Sequence, residues 1–127
     1  MNPRKILVID DEDGVRDIIQ ITLEVVAGWE VLTATGGEEG LAIAQTQQPD
    51  AILLDVMMPR MDGLTTFKQL QAHPQTQKIP TIFLTAKAHI SEQQQFAELG
   101  AAGVITKPFE ANALISQIQH FLNWTGF

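Results

Sequence analysis

The sequence predicts an α/β domain in which a five-stranded parallel sheet carries helices on both of its faces. Five short apolar segments alternate along the chain with five segments of helical periodicity. The apolar segments are continuous and rich in β-branched residues, which is typical of strands buried on both faces. Polar residues follow these segments directly, at the edge of a parallel sheet where ligands bind.

Glycine and proline separate the elements predicted in the first part of the chain. Gly28 follows the first helical segment, Gly36 and Gly37 interrupt the second strand, and Pro49 stops the second helix. The predicted elements are a strand at residues 6–9, a helix from Val15 to about Ala27, a strand at 31–34, and a helix from about Glu38 to Pro49.

The remaining strands and helices follow in the same alternation. The fourth helix is the weakest, because three glutamines at 93–95 leave it few apolar residues. The last helix, which Glu110 opens, has the clearest apolar stripe, formed by Leu114, Ile118, Phe121 and Leu122. The other predicted elements are a strand at 51–54, a loop at 55–63, a helix from Leu64 ending before Pro74, a strand at 81–84, the fourth helix from Ser91 to Gly100, and a strand at 104–105.

The composition is that of a globular chain of one domain. The 127 residues are 45% hydrophobic and 18% charged, which excludes a disordered or collagen-like chain. We expect a single domain over 1–127 with its core at about 5–122, and too few residues follow the last helix for an output domain. The sequence shows no cysteine, no signal peptide and no apolar run of the roughly 20 residues that a membrane span needs. A cytoplasmic protein without disulfides or thiolate metal sites is therefore expected.

Acidic charge is concentrated in the first half of the chain. Residues 1–63 hold twelve Asp or Glu and four Lys or Arg, whereas residues 64–127 hold three and four. Direct binding to nucleic acid or to an anionic membrane is not expected, because both are polyanions. The charge suits a site that binds a cation, and acidity that only keeps the chain soluble is the alternative.

Five residues with reactive side chains come at the ends of predicted strands. Asp10 and Asp11 follow the first strand, Asp55 the third, Thr85 the fourth and Lys107 the fifth. Each has an ordinary alternative role: a helix cap, a turn residue, a strand-end hydroxyl or an exposed lysine. Because the carboxyl ends of parallel strands meet at one edge, the sequence favours a common site.

The chemistry of these residues indicates a hard cation and phosphoryl transfer. Three clustered carboxylates repel one another, and a divalent cation relieves that repulsion. Oxygen ligands without histidine or cysteine favour Mg²⁺, with Mn²⁺ as a second choice. An aspartate beside Mg²⁺ can attack phosphorus, while a lysine ammonium and a threonine hydroxyl stabilise the phosphoryl oxygens.

The chain resembles the receiver domains of two-component response regulators, the CheY-like family. The resemblance covers roughly residues 6–121, and its order and spacing match throughout. It implies a flavodoxin-like sheet with strand order 2-1-3-4-5. The segments that carry it are Ile6-Leu7-Val8-Ile9-Asp10-Asp11-Glu12, the run from Leu54 to Gly63, Leu84-Thr85-Ala86 and Lys107-Pro108-Phe109.

The resemblance implies a role for each acidic residue of the site. Asp55 matches the phosphoacceptor of the family. Asp10 and Asp11 match its acidic pair, in which Asp11 ligates Mg²⁺ directly and Asp10 does so largely through water. The backbone carbonyl of Met57 is implied as a further ligand. The side chains of Met57 and Lys87 match positions that shape water access to the acyl phosphate.

Thr85 and Lys107 match the residues that hold the phosphoryl group, and the Lys107–Pro108 bond is implied to be cis. The sequence departs from the family pattern at Val104, three residues before the lysine, where an aromatic residue usually pairs with the threonine. Valine is stiff at χ1 and cannot swing as a ring does. Its presence puts the usual aromatic coupling in doubt and leaves the phosphorylation chemistry intact.

The implied function is a signalling switch, which catalyses only its own phosphorylation and dephosphorylation. A histidine kinase or phosphotransfer protein supplies the phosphoryl group to Asp55, with Mg²⁺ as cofactor. A surface formed by the fourth helix, fifth strand and fifth helix then binds a downstream protein, and the chain itself is a monomer or a weak dimer. The alternative is a receiver-like interaction module that works without phosphorylation. Val104 points to that alternative, whereas the complete set of acids, Thr85 and Lys107 favours the switch.

Overall fold

The computed structural model describes residues 3–86 and 90–125, the side chains of Ile90 and Ser91 excepted, and contains five strands and five α-helices in strict alternation. Position 87, one of the two positions predicted to shape water access, lies outside the described residues. In chain order the elements are β1 Lys5–Ile9, α1 Asp13–Ile21, β2 Glu30–Ala34, α2 Gly37–Gln47, β3 Ala51–Asp55, α3 Gly63–Ala72, β4 Thr81–Thr85, α4 Ile90–Glu98, β5 Gly103–Thr106 and α5 Ala111–Leu122.

The strands form one sheet in the order β2-β1-β3-β4-β5, and every neighbouring pair is parallel. This order and the helical crossovers confirm the expected flavodoxin-like fold. The three central strands are almost entirely buried, as their continuous apolar sequences predict, whereas the outer strands β2 and β5 are partly exposed.

Two apolar layers cover the faces of the sheet. Along β1, Ile6 and Val8 face the layer formed with α1 and α5, while Leu7 and Ile9 face the layer formed with α2, α3 and α4. Each fully buried leucine or isoleucine stabilises the fold by roughly 1.5–3 kcal/mol. The strand ends therefore project from a framework that is packed on both sides.

Helix α2 lies unusually close to the sheet because Gly40 has no side chain. A Cβ at this position would collide with the side chain of Ile9, which is fully buried in the core. The close approach of α2 fixes the end of β1, from which Asp10 extends.

The predicted strands β3 and β4 end one residue too early. Asp55 and Thr85 are the last residues of these strands, whereas the sequence placed both just beyond them. The apolar runs stop at Leu54 and Leu84, but the backbone ladder continues, with the N–H of Val56 donating to the carbonyl of Leu84 at 3.0 Å. Both polar side chains are consequently held by strand geometry.

The first helix differs from its prediction in length and in its buried face. It ends at Ile21, and a π-helical turn, Thr22–Val26, replaces the expected α-helical continuation. Ile18 is 53% exposed and Val26 is 60% exposed, although both belong to the apolar periodicity. The apolar stripe is wider than the surface that the sheet covers, so periodicity alone did not identify the buried positions.

Helix α4 contributes one aromatic side chain to the core. Phe96 is buried, and its ring centroid lies 4.8 Å from that of Phe83 on β4. The helix begins at Ile90, one residue before the predicted start at Ser91. Among the described residues, no helix is long and apolar enough to cross a membrane.

Candidate functional site

The five side chains singled out in the sequence come to the carboxyl edge of the sheet. Asp55 and Thr85 are the final residues of β3 and β4, Asp10 follows β1, and Lys107 follows β5. The backbone N–H of Lys107 donates to the carbonyl of Thr85 at 2.8 Å, which ties the last residue of β4 to the segment after β5. The Lys107–Pro108 bond is cis, as the resemblance implied.

Three carboxylates form the acidic centre of this edge. Oxygen atoms of Asp10, Asp11 and Asp55 all lie within 4.8 Å of one another. Asp10 is fully buried and Asp55 is 3% exposed, whereas Asp11 lies at the surface. A set of carboxylate oxygens with one open side is the donor set that Mg²⁺ takes, so the residues present fit such an ion.

Lys107 places its ammonium among these acids. The Nζ atom lies 2.8 Å from Oδ2 of Asp10, 3.4 Å from Oδ1 of Asp55 and 3.5 Å from Oε1 of Glu12. Burial opposes the charged form of this lysine, but hydrogen bonding and attraction to Asp10, followed by Asp55 and Glu12, outweigh it and raise the pKa of the ammonium. Lys107 therefore stays charged at neutral pH and balances part of the carboxylate charge.

Asp55 has the most perturbed carboxyl group of the site. Burial raises the pKa of Asp55 to about 7, and the charge of Asp10 and a hydrogen bond with Asp11 add to the rise. The ammonium of Lys107 and the N–H of Met57, which donates to Oδ1 of Asp55 at 3.2 Å, act in the opposite direction. A carboxyl group whose pKa is raised close to neutral pH by burial and a neighbouring charge is typical of functional sites.

A glycine packs directly against the backbone of the acidic strand β3. The N–H of Gly63 donates to the carbonyl of Val56 at 2.9 Å. A Cβ on Gly63 would collide with the carbonyl oxygen of Asp55 and lie 2.7 Å from Cα of Val56. Just before it, Asp62 caps α3 by accepting a hydrogen bond from the N–H of Thr65 at 2.8 Å, which lowers the pKa of Asp62.

The sequence assigned no role in the site to three residues that contact it or its backbone, although Glu12 and Gly63 stand in the segments that carry the family resemblance. Glu12 adds a third carboxylate near Lys107, Gly63 packs on Asp55, and the guanidinium of Arg16 donates to the backbone carbonyl of Asp10 at 2.6 Å. Arg16 could have been noticed, because it is the only basic residue between Lys5 and Arg60 in an otherwise acidic part of the chain.

The position at which the family usually has an aromatic residue lies beside a shallow groove. Val104 on β5 pairs with Phe83 and is partly exposed. The groove, of about 240 Å³, is bordered by Val104, Ala97 on α4 and Phe121 on α5. The ring of Phe121 covers Gly103 so closely that a Cβ there would collide with it.

Comparison with known proteins agrees with this architecture. The family model of the response regulator receiver domain matches residues 6–119. The chain belongs to the response regulator receiver domain family. Receiver domains are the signalling switches of response regulators. This chain covers nearly the full length of the solved receiver structures that it matches. The chemotaxis response regulator CheY4 of Vibrio cholerae is 33% identical, with a TM-score of 0.88 and coverage of 94% of this chain and 99% of that one.

Other relatives of this receiver are longer proteins. The DNA-binding dual master transcriptional regulator RpaA of Synechocystis sp. is 37% identical over 95% of this chain and 50% of its own length. The alkaline phosphatase synthesis transcriptional regulatory protein PhoP of Bacillus subtilis is 43% identical over 91% of this chain and 48% of its own length. The chain thus spans about half the length of these curated relatives.

Proposed function

We propose that this receiver accepts a phosphoryl group on Asp55 from a histidine kinase or phosphotransfer protein, and that the modification alters a protein-binding surface on α4, β5 and α5. The observation that carries the proposal is the meeting of Asp10, Asp11 and Asp55 within 4.8 Å at one edge of the sheet, with the ammonium of Lys107 between two of them. No structural role requires three carboxylates so close together, because their mutual repulsion destabilises the fold.

Mg²⁺ is the proposed cofactor of this reaction. The carboxylates of Asp10, Asp11 and Asp55, with the backbone carbonyl of Met57, would hold it. When bound, Mg²⁺ neutralises negative charge on the phosphoryl oxygens and on the clustered carboxylates. Mn²⁺ prefers the same oxygen ligands and is expected to substitute for it.

In the proposed transfer step, Asp55 is the nucleophile. One carboxylate oxygen of Asp55 attacks phosphorus, the new O–P bond forms, and the P–N bond of the phosphohistidine donor breaks. The electron pair of that bond stays on the imidazole nitrogen. Lys107 and the hydroxyl of Thr85, which is 3% exposed at the end of β4, provide a positive charge and a donor for the phosphoryl oxygens.

An apolar surface beside the site favours a protein as the phosphoryl donor. A shallow pocket of about 380 Å³ is bordered by Lys107, Pro108, Phe109 and the exposed Ile18 of α1. Ile21, one turn further along α1, is 60% exposed and extends this apolar surface. A donor that covers these side chains buries apolar area, which a small phosphorylated metabolite would not do.

The proposed output surface is formed by α4, β5 and α5. With Val104 in place of a ring, we expect the signal to reach α4 and β5 as a shift of backbone and helix, which changes local stability. Amide hydrogen exchange in peptides covering residues 90–106 should therefore change at least about threefold when a beryllofluoride analogue of the phosphoryl group binds, and peptides from β1 should not. Unchanged exchange across 90–106 would reject this surface.

The phosphoacceptor assignment is tested by intact mass after incubation with acetyl phosphate. We expect a single phosphoryl adduct that needs Mg²⁺ and is absent from Asp55→Asn. Asp62→Asn is the matched control, because Asp62 is the next carboxylate along the chain and caps α3 outside the acidic centre. This variant is expected to form the adduct as the wild type does.

The alternative is a receiver-like interaction module that works without phosphorylation, to which Val104 points. A folded wild-type protein that forms no adduct with acetyl phosphate or with a phosphorylated histidine kinase, at any Mg²⁺ concentration, would favour it. An adduct that persists in Asp55→Asn would contradict the assignment of Asp55 and would place the phosphoryl group on another residue.

A further inference from the structure

Arg16 reaches from the end of the first turn of α1 back to the acidic edge of the sheet. Its Nη1 atom donates to the backbone carbonyl of Asp10 at 2.6 Å, and Nη2 pairs with the carboxylate of Asp13. The Arg16 side chain is only 12% exposed, whereas that of Asp13 is 86% exposed. The guanidinium is thus largely buried against the strand end, and its partner at the surface is an open carboxylate.

With Arg16, every polar group of Asp10 has a partner. The N–H of Asp10 donates to the carbonyl of Ala34 at 3.1 Å. One carboxylate oxygen accepts from the N–H of Glu12 at 2.9 Å, and the other contacts Lys107. The carbonyl is the remaining group, and it belongs to the peptide unit that leads into Asp11. The bond from Arg16 therefore sets the orientation of the Asp10–Asp11 peptide plane.

Asp11 depends on that peptide plane for its position. It is exposed, and its carboxylate lies within 4.8 Å of the carboxylates of Asp10 and Asp55. Once Asp55 is ionised its hydrogen bond with Asp11 is lost, and repulsion between the two like charges then favours rotation of Asp11 into the solvent, which little packing at the surface resists. A fixed backbone keeps the carboxylate within reach of a cation shared with the other two acids.

We propose that Arg16 is a positioning residue of the cation site, which holds Asp11 in its ligating position through the carbonyl of Asp10. This inference rests on the proposed function, since it assumes that the three carboxylates bind Mg²⁺. Groups that orient metal ligands from outside the ligand shell commonly change metal affinity about 10-fold or more when they are removed.

A purely structural role at the start of α1 is the competing explanation. In that case Arg16 would act mainly through its ion pair with Asp13, by stabilising the start of α1. Ion pairs with an exposed partner, however, contribute little to stability. Asp13→Asn removes this pair and leaves the bond to Asp10 in place, so it separates the two explanations. Arg16→Lys keeps the positive charge and an N–H donor at the end of a long side chain, whereas Arg16→Gln loses the charge.

The experiment is a calorimetric titration of the metal-free protein with Mg²⁺, repeated with Mn²⁺ and electron paramagnetic resonance. We expect Arg16→Gln to weaken binding about 10-fold, Arg16→Lys to restore at least half of that loss on a logarithmic scale, and Asp13→Asn to bind within twofold of the wild type. Phosphorylation of Arg16→Gln by acetyl phosphate should need about 10-fold more Mg²⁺ and should approach the wild-type rate at saturation.

Equal Mg²⁺ affinity of Arg16→Gln and the wild type would overturn the inference, as would an equal loss in Asp13→Asn. Failure of Arg16→Lys to restore affinity, in a variant that unfolds at the wild-type temperature, would overturn it too. If Arg16→Gln does not fold, the comparison of Arg16→Lys with Asp13→Asn decides. A wild-type protein that binds no Mg²⁺ would instead contradict the proposed function.

Discussion

Asp55→Asn is expected to be more stable than the wild type at pH 8 in metal-free buffer, by roughly 2–4 kcal/mol. The carboxyl group of Asp55 is 3% exposed, and burial together with the charge of Asp10 raises its pKa to about 7. At pH 8 the wild type must therefore hold an ionised carboxylate in a poorly hydrated and acidic setting. Asparagine has nearly the same shape and carries no charge, so this cost disappears.

The sign of the pH dependence follows from the direction of the pKa shift. The carboxyl pKa of Asp55 is 3.8 when unperturbed and about 7 in the folded protein. Between these values the folded state binds more protons than the unfolded state, so the stability of the wild type falls as pH rises through this window. The difference between Asp55→Asn and the wild type should be small near pH 4, grow up to about pH 7 and then stay constant.

Urea unfolding at pH 4.5, 6, 7 and 8 with a chelator present measures this difference. Asp17→Asn is the control, because Asp17 is an exposed carboxylate on α1 outside the acidic centre, and its stability difference should stay within about 0.5 kcal/mol at all four pH values. Adding Mg²⁺ should reduce the stability difference between Asp55→Asn and the wild type at pH 8, because the ion binds the folded wild type more tightly than it binds the variant. If the stabilities of the wild type and Asp55→Asn changed in parallel with pH, the raised pKa of Asp55 would be contradicted.

The sheet was predictable because its central strands contain short, continuous apolar runs. Ile6 to Ile9 and Ala51 to Leu54 carry no polar side chain, and only a strand covered on both faces buries such a run completely. The parallel arrangement then placed Asp10 and Asp55 at one edge, which is where the structure has them. The strand order was implied by the family resemblance, because alternation alone allows other orders.

What the sequence could not predict depends on contacts between distant elements. The exposure of Ile18 reflects how much of α1 the sheet covers, which periodicity does not measure. The contact of Arg16 with Asp10 depends on the direction in which α1 leaves β1. The elevated pKa of Asp55 depends on burial and on the distances to Asp10 and Lys107, since a free aspartate with the same neighbours in sequence would titrate normally.

Lys107→Met is expected to have the opposite effect on stability to Asp55→Asn. The ammonium of Lys107 contacts Asp10, which is fully buried, and Asp55, and it is charged at pH 8 because its pKa is raised. A group with a raised basic pKa stabilises the fold fully at pH values below its unfolded pKa, so the whole contribution is present at pH 8. Removing one partner of a buried ion pair costs roughly 3–5 kcal/mol, because the other charge is left uncompensated.

The same substitution should slow phosphorylation of Asp55 by acetyl phosphate about 100-fold at saturating Mg²⁺. A preorganised positive charge that faces the negative charge developing on the phosphoryl group accelerates the transfer by about this factor. Methionine keeps roughly the length of the lysine side chain but carries no charge. Lys68→Met, on the exposed side of α3, is the matched control. It should change the free energy of unfolding by no more than about 0.5 kcal/mol and the phosphorylation rate by no more than about twofold. An unchanged rate in Lys107→Met would exclude Lys107 from phosphoryl transfer.

The double variant Lys107→Met/Asp55→Asn separates the ion pair from the other interactions of Lys107. If the contact with Asp55 dominated, the loss caused by Lys107→Met would nearly vanish in the Asp55→Asn background. The shorter distance to Asp10, 2.8 Å against 3.4 Å, argues that most of the loss should remain. We therefore expect a coupling energy of about 1 kcal/mol between Lys107 and Asp55 in metal-free buffer at pH 8. Lys107 would then serve mainly to hold the carboxylate of Asp10 in place, and its attraction to Asp55 would be weak enough for a phosphoryl group to compete for the ammonium.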